Sequence, residues 1–275
     1  MSRIVVLGGA ESGVGAAVLA KVKGFDVFLS DYGKISEHFA DELRKWDIAF
    51  EEGHHTEDLI LNADEVIKSP GIPSTAPIIK KIEAQGIHII SGRYDTAKKI
   101  CITGSNGKTT TTSLIYYLLQ NAGLNVGLGG NIGKSYAYQV ATEHFDYYVL
   151  EISSFQLDNC YDFRPDIAII TNITPDHLDR YDYQMENYVK AKFRLTQNLR
   201  PEDCFIFDSD DEITIDHLNK IIISAKRLPF TQKTEVKQGA FLKEDKIVVK
   251  YGEDECDIFL KELALGGKHN IYNSM

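Results

Sequence analysis

The sequence predicts an α/β protein with parallel sheets, and three observations predict it. Short β-branched runs alternate with helical segments through most of the 275 residues, the pattern of strands and helices layered around a parallel sheet. Two such series each open with a strand running into a glycine-rich turn, "VVLGGAESGVG" from Val5 and "CITGSNGKTT" from Cys101. Beyond residue 230 the pattern changes to "GAFLKEDKIVVKYGEDECDIFL", apolar stretches joined by charged turns, which reads as antiparallel ribbons.

In the first series the expected strands are "RIVVLG" (3–8), "DVFLS" (26–30), "EVIKS" (65–69) and "IHII" (87–90), with helices near 13–23, 36–46 and 76–85. Prolines in "SPGIPSTAP" hold off the last helix until the chain has turned. The second series offers "KICITG" (99–104), "YYVLEIS" (147–153), "IAIITN" (167–172), "CFIFD" (204–208) and "KIIIS" (220–224). A chain of this length exceeds what one core usually serves, so we expect domains over 1–93 and 94–275, joined in the polar link "SGRYDTAKK" (91–99).

The formal charge of −10 argues against a nucleic-acid binder, because such affinity rests on Lys and Arg neutralising phosphates. Cys101, Cys160, Cys204 and Cys256 are scattered without CxxC spacing, as expected in a reducing compartment. No signal peptide and no apolar run of membrane-spanning length is visible, so we expect a soluble, cytoplasmic, monomeric chain with no membrane partner. "NIT" at Asn172 fits a glycosylation sequon, which has no meaning in that compartment.

"TGSNGKTT" carries the second half of a phosphate loop, with Gly107, Lys108 and Thr109 in place, although Ile102 stands where the first glycine belongs and Gly104 supplies a turn instead. Such a loop cradles phosphates with backbone N–H groups and offers a hydroxyl to Mg²⁺. An ordinary strand-turn-helix corner is the bland alternative. Mg²⁺ bound to a nucleotide also takes a carboxylate, and "YYVLEISSFQL" delivers Glu151 to the end of a buried strand, where it needs a cation or must be exposed. In "DYQMENYVKAKFRLTQNL" a helical pitch places Met185, Tyr188, Val189, Leu195 and Leu199 on one stripe with Lys192 in its middle. An inward lysine is paired, chemically altered or snorkelling. "TNITPDHLDRY" brings Asp176, His177, Asp179 and Arg180 to the same rim, where His177 is either a ligand or a hydrogen-bonded structural residue. "GLGGNIG" (127–133) reads as a further glycine turn whose Asn131 could touch a ligand. The first turn fits a dinucleotide fingerprint at Gly8 and Gly13, with Asp31 near the ribose position, but its middle position is Ala10. A nicotinamide or flavin site is therefore disfavoured, which leaves another diphosphate at the helix start or a purely structural turn.

Taken together, "TGSNGKTT", "GGNIG", "EISSFQL", "DHLDRY", "YVKAKFRL" and "KHNIYN" resemble the Mur ligases, the ATP-dependent amide-forming enzymes of peptidoglycan synthesis. With "SPGIP" and "EISSFQLD" the resemblance is strongest to the branch that adds D-glutamate to UDP-N-acetylmuramoyl-L-alanine. It implies a Rossmann-like N-terminal domain, a central P-loop ATPase-like α/β domain with a small antiparallel extension, and ATP and Mg²⁺ as cofactors. It also implies roles. Gly104, Ser105, Asn106, Gly107, Lys108, Thr109 and Thr110 would hold the ATP phosphates, and Asn270 and Asn273 would lie beside the adenine. Thr109, Glu151, His177 and a carbamylated Lys192 would hold metal, with Lys108, Lys192 and His177 as the catalytic set. Glu11, Ser12, Asp31, Ser69, Gly71, Asn131 and Ser153 would bind the UDP-sugar. The family's third, C-terminal domain carries most contacts to the incoming amino acid, and we expect this chain to lack it and to turn over little ATP alone. Three alternatives stay open: a sister ligase adding another amino acid, a dinucleotide-dependent oxidoreductase, and a nucleotide-switch binding module.

Overall fold

The computed structural model describes residues 2–73, 75–90, 96–158 and 160–275, and the predicted link at 91–95 lies outside them. The chain forms two compact units. One comprises residues 1–96, 128–145 and 158–163, the other residues 97–127, 146–157 and 164–275.

The first unit opens with β1 (Arg3–Leu7), α1 (Glu11–Val22), β2 (Asp26–Asp31), α2 (Glu37–Lys45), β3 (Ala49–Glu52), α3 (Glu57–Ile60), β4 (Glu65–Lys68), α4 (Pro77–Ala84) and β5 (His88–Ile90). Its five strands are all parallel in the order β3-β2-β1-β4-β5. β1 is apolar on both faces because both are covered. Ile4 and Val6 pack with Val14, Ala17 and Val18 of α1 and Leu43 of α2, while Val5 and Leu7 pack with Ile78, Ile79 and Ile82 of α4. Each of the Val, Leu and Ile side chains contributes roughly 1.5–3 kcal/mol by leaving water. Pro77 sits in the first turn of α4, where its missing N–H has no helical acceptor to lose. Gly13 is required by contact: a Cβ there would lie 1.8 Å from the Gly8 carbonyl oxygen, so only glycine lets α1 approach the end of β1.

The remaining elements are β6 (Lys98–Thr103), α5 (Lys108–Asn121), β7 (Val126–Gly130), α6 (Tyr136–Thr142), β8 (Tyr147–Glu151), α7 (Ser154–Leu157), β9 (Ile167–Ile170), α8 (Met185–Phe193), β10 (Cys204–Asp208), α9 (Glu212–Leu218), β11 (Lys226–Thr231), β12 (Gly239–Lys243), β13 (Lys246–Tyr251), β14 (Asp254–Phe259) and α10 (Lys268–Ser274). A nine-stranded sheet runs β14-β13-β12-β11-β10-β9-β6-β8-β7. β6, β8, β9, β10 and β11 are parallel, whereas β12, β13 and β14 form the expected antiparallel ribbon. β14 lies at one edge, largely exposed, with Asp254, Glu255 and Asp257 along it. Among the described residues no helix is long and apolar enough to cross a membrane.

Three expectations need correction. "KIIIS" (220–224) is not a strand: the chain turns there, Ile222 is 96% exposed, and the strand is β11 over "KRLPFT". Pro229 made that run look unlike a strand, but it pairs in parallel register opposite Phe207. "GLGGNIG" is a turn only at residues 131–133, because its first four residues belong to β7. Gly129 there admits Gln139, whose Nε2 donates to the Leu128 and Lys134 carbonyls. The helix through Lys192 ends at Phe193 and tightens into a 3₁₀ turn over Arg194–Thr196.

An ion pair between a buried carboxylate and a partly exposed arginine anchors the start of β10. Asp203 is 3% exposed, and both its oxygens accept from Arg164, Nε at 2.8 Å and Nη2 at 2.7 Å. Burial alone would raise its pKa, but the hydrogen bonds from Arg164 and from the Arg200 N–H outweigh it and hold the carboxyl below its ordinary value. A depressed carboxyl stabilises the fold fully above its unfolded pKa near ~4, and the contribution fades as pH falls through the folded value. We therefore expect Asp203→Asn to lower the unfolding free energy by about 2–4 kcal/mol at pH 7 and by much less near pH 3, read from urea titrations at the two pH values.

Candidate functional site

The turn between β6 and α5 is shaped by its glycines. Gly104 has φ +146° and Gly107 φ +82°. A Cβ on Gly104 would lie 2.0 Å from Thr171 Oγ1, and one on Gly107 would lie 2.3 Å from Asn273 Oδ1. The loop is tied to the segment after β9. Asn106 N–H donates to Asn172 Oδ1 (3.0 Å), while Thr171 Oγ1 donates to the Asn106 carbonyl (2.6 Å). Ser105 Oγ donates to the Thr174 carbonyl (2.9 Å) and lies 3.1 Å from Tyr188 Oη. Residues 171–174 were legible in the sequence as a strand end and the start of the rim segment, but not as partners of the loop. Their hold on the loop depends on β9 lying beside β6, which no local pattern reveals.

Two lysines converge on one carbonyl. Lys108 Nζ donates to the Gly104 and Ser105 carbonyls at 3.0 and 2.9 Å, and Lys192 Nζ donates to the same Gly104 oxygen at 2.6 Å. Lys192 is 2% exposed, with its amine 4.4 Å from the centre of the Tyr188 ring. Burial, with a smaller push from the Lys108 charge, lowers its pKa to about 7. Across the loop, Thr109 Oγ1 donates to Glu151 Oε2 at 2.7 Å, and Glu151 is 1% exposed. A buried carboxylate beside a threonine hydroxyl is a hard-oxygen donor pair, which suits Mg²⁺. Among the described residues no three His, Cys, Asp or Glu side chains gather as a metal cage.

The other predicted residues divide. His177, in left-handed backbone at φ 49°, is exposed, 3.5 Å from Asp176 and 5.3 Å from the Phe155 ring. Phe155, Tyr181 and Tyr188 form a run of rings from there to Lys192. Thr110 follows in the first turn of α5. Asn273 Nδ2 donates to Asn270 Oδ1 (3.1 Å), and Asn273 lines a cavity of about 320 Å³ with Asn106, Gly107, Leu118, Phe230 and Tyr272. Asn270 is not among the lining residues. Ser153 is engaged locally, its N–H and hydroxyl both on Gln156 Oε1.

In the first unit, Asp31 Oδ2 accepts the Gly9 N–H at 2.5 Å and Oδ1 the Gly33 N–H at 2.7 Å. Asp31 lines a cavity of about 640 Å³ with Gly8, Tyr32, His54, His55 and Ile72. Ser69 stands against Gly8, and Gly71 is exposed. Ser12 lies in the first turn of α1, whereas Glu11 turns to accept the Ser135 N–H at 2.7 Å. Asn131 is exposed just beyond β7. His54 and His55, missed in the sequence, reach the cavity through a strand too short and acidic to be recognised.

A glycine-rich turn between a parallel strand and a helix, with a lysine and a hydroxyl at the helix start, defines a phosphate-loop α/β protein. Residues 102–275 match the Mur ligase middle domain, and residues 2–91 match the Mur ligase MurD-like, N-terminal domain. The chain belongs to the Mur ligase family. It is 58% identical over its whole length to the UDP-N-acetylmuramoylalanine–D-glutamate ligase of Bacteroides thetaiotaomicron, and 49% identical over 99% of its length to that of Christiangramia forsetii. It spans 63% and 62% of those relatives. Among solved structures it is similar in fold to the UDP-N-acetylmuramate:L-alanyl-gamma-D-glutamyl-meso-diaminopimelate ligase of Neisseria meningitides (TM-score 0.66, 21% identity, all of this chain and 91% of that one). The UDP-N-acetylmuramate-alanine ligase MurC of Thermotoga maritima is also similar (TM-score 0.56, 22% identity, all of this chain and 63% of that one).

Proposed function

We propose that this chain supplies the UDP-substrate and ATP sites of a ligase that adds D-glutamate to UDP-N-acetylmuramoyl-L-alanine. Residues 1–93 would hold the UDP-sugar, and residues 94–275 the nucleotide. The observation that carries the reading is the convergence of Lys108, Thr109, buried Glu151 and buried Lys192 on one glycine-rich turn. The relatives named for D-glutamate addition support the choice of amino acid.

The backbone N–H groups of the turn and the Lys108 amine would orient the ATP phosphates. The γ-phosphoryl group would pass to the alanine carboxylate, and the D-glutamate amine would displace phosphate from the resulting acyl phosphate as the amide forms. Thr109 and Glu151 would hold Mg²⁺, which when bound neutralises phosphate charge. A lysine held near neutrality is partly the free amine, the form that adds CO₂. The carbamate so formed, with loss of one proton, would make Lys192 a carboxylate-like ligand on the side of His177. Asn273, in the cavity beside Gly107, would face the adenine, with Asn270 holding its amide.

Calorimetric titration of the chain with UDP-N-acetylmuramoyl-L-alanine, and with the same sugar carrying a longer peptide, tests the assignment. We expect the alanine form to bind more tightly. Preference for the longer peptide moves the chain to a sister activity.

A further inference from the structure

We propose that His55 reads the base of a uridine nucleotide in the first unit by presenting an unprotonated Nε2, held in that form by Ser30 and Glu51. The proposal rests on the UDP reading above and adds the residue that selects the base.

Ser30 and Glu51 are register partners on the neighbouring strands β2 and β3. Ser30 is fully buried, with its Oγ 2.6 Å from Glu51 Oε1 and 2.7 Å from His55 Nδ1. The hydroxyl has one proton to share between these two contacts. Glu51 Oε1 also accepts the Thr56 N–H at 2.8 Å, and its Oε2 lies 3.4 Å from His54 Nε2. Burial works against charge on Glu51, but the hydrogen bonds from Ser30 and Thr56 outweigh it and hold the carboxyl below its ordinary value. An ionised carboxylate has no proton, so the 2.6 Å contact takes the one on Ser30. The Ser30 oxygen is then an acceptor toward His55, and Nδ1 carries the imidazole proton.

Burial also holds His55 below the usual histidine value, against the attraction of Glu51 and Asp31 and with the help of His54. The ring is therefore neutral at pH 7, and Nε2 keeps its lone pair. His55 lines the 640 Å³ cavity at the carboxyl ends of β1 and β2, where an open α/β sheet gathers ligands. Tyr32, 74% exposed, sets its ring 5.6 Å from the imidazole and offers a face for a flat base. Uracil carries a donor at N3, which Nε2 accepts. Cytosine carries a lone pair at N3, which Nε2 opposes. An acceptor fixed opposite N3 thus favours uridine over cytidine.

Two measurements test this. Calorimetry with UDP and with CDP should show UDP at least tenfold tighter on the unaltered chain. His55→Leu should lose at least tenfold in UDP affinity together with the preference, and His55→Gln, whose amide oxygen restores an acceptor, should recover part of both. Ser30→Ala, which frees the tautomer while leaving the ring, should narrow the UDP-to-CDP ratio. Imidazole ¹⁵N shifts of the unaltered chain should show an unprotonated Nε2 on His55 at neutral pH. A protonated Nε2 overturns the proposal, as does equal binding of UDP and CDP. If UDP binds and His55→Leu binds it equally, the role of His55 falls alone. If UDP does not bind the unaltered chain, the functional reading falls with it.

Discussion

Lys108→Met is expected to weaken ATP binding ten- to a hundredfold while leaving the fold intact. The amine sits over the turn, on the Gly104 and Ser105 carbonyls, and half-buried, so it can swing to a phosphate without a rotation of the backbone. A charge-assisted hydrogen bond to an ionised partner contributes about 1.5–3 kcal/mol, and each ~1.4 kcal/mol is a factor of ten in affinity. Methionine keeps the aliphatic stem and removes only the charge. Titration with a fluorescent ATP analogue reads the effect, with circular dichroism as the control for folding. Unchanged affinity in a folded Lys108→Met chain would show that the nucleotide, if bound, lies elsewhere.

The second large effect runs in the opposite direction. Lys192→Met is expected to stabilise the chain by a few kcal/mol, because it replaces a desolvated amine with an apolar side chain of similar length. Lys192 lies in a stretch whose residues Tyr188, Val189, Ala191, Phe193 and Leu195 are all buried, and among the described residues its amine meets the Gly104 carbonyl and the Tyr188 ring. That is poor compensation for removing an ammonium group from water. The midpoint of thermal unfolding should rise by several degrees. A lowered midpoint would mean that the amine holds the turn more than burial penalises it. Stability given up at a residue of this kind is what a functional role predicts.

The fold was legible where the chemistry is local. β1 and β6 announce themselves by β-branched runs entering glycine turns, and α4 by the prolines before it. β3 and α3 were not legible: four residues each, "AFEE" and "EDLI", are too short for any period to show. β11 was masked by Pro229 and by the more strand-like "KIIIS" beside it. At the candidate site, Lys108 and Thr109 stood out through the spacing of the phosphate loop, and Glu151 and Lys192 because each breaks an apolar run with a charged group. Asn172, Thr174 and Tyr188 did not, because their meeting with Ser105 and Asn106 joins segments more than sixty residues apart. The same holds for Ser30, Glu51 and His55, which sheet pairing assembles. Sequence spacing cannot anticipate that register.

The acidic outermost strand β14 has a bearing on how the protein behaves at high concentration. A terminal strand offers its open backbone groups to any passing chain, and so can seed fibrils. Asp254, Glu255 and Asp257 place negative charge along that border, while Lys246 and Lys250 on the inner neighbour engage Asp257 and Glu255. A second molecule approaching in the same orientation meets like charge on like charge, which keeps the ribbon from propagating between molecules.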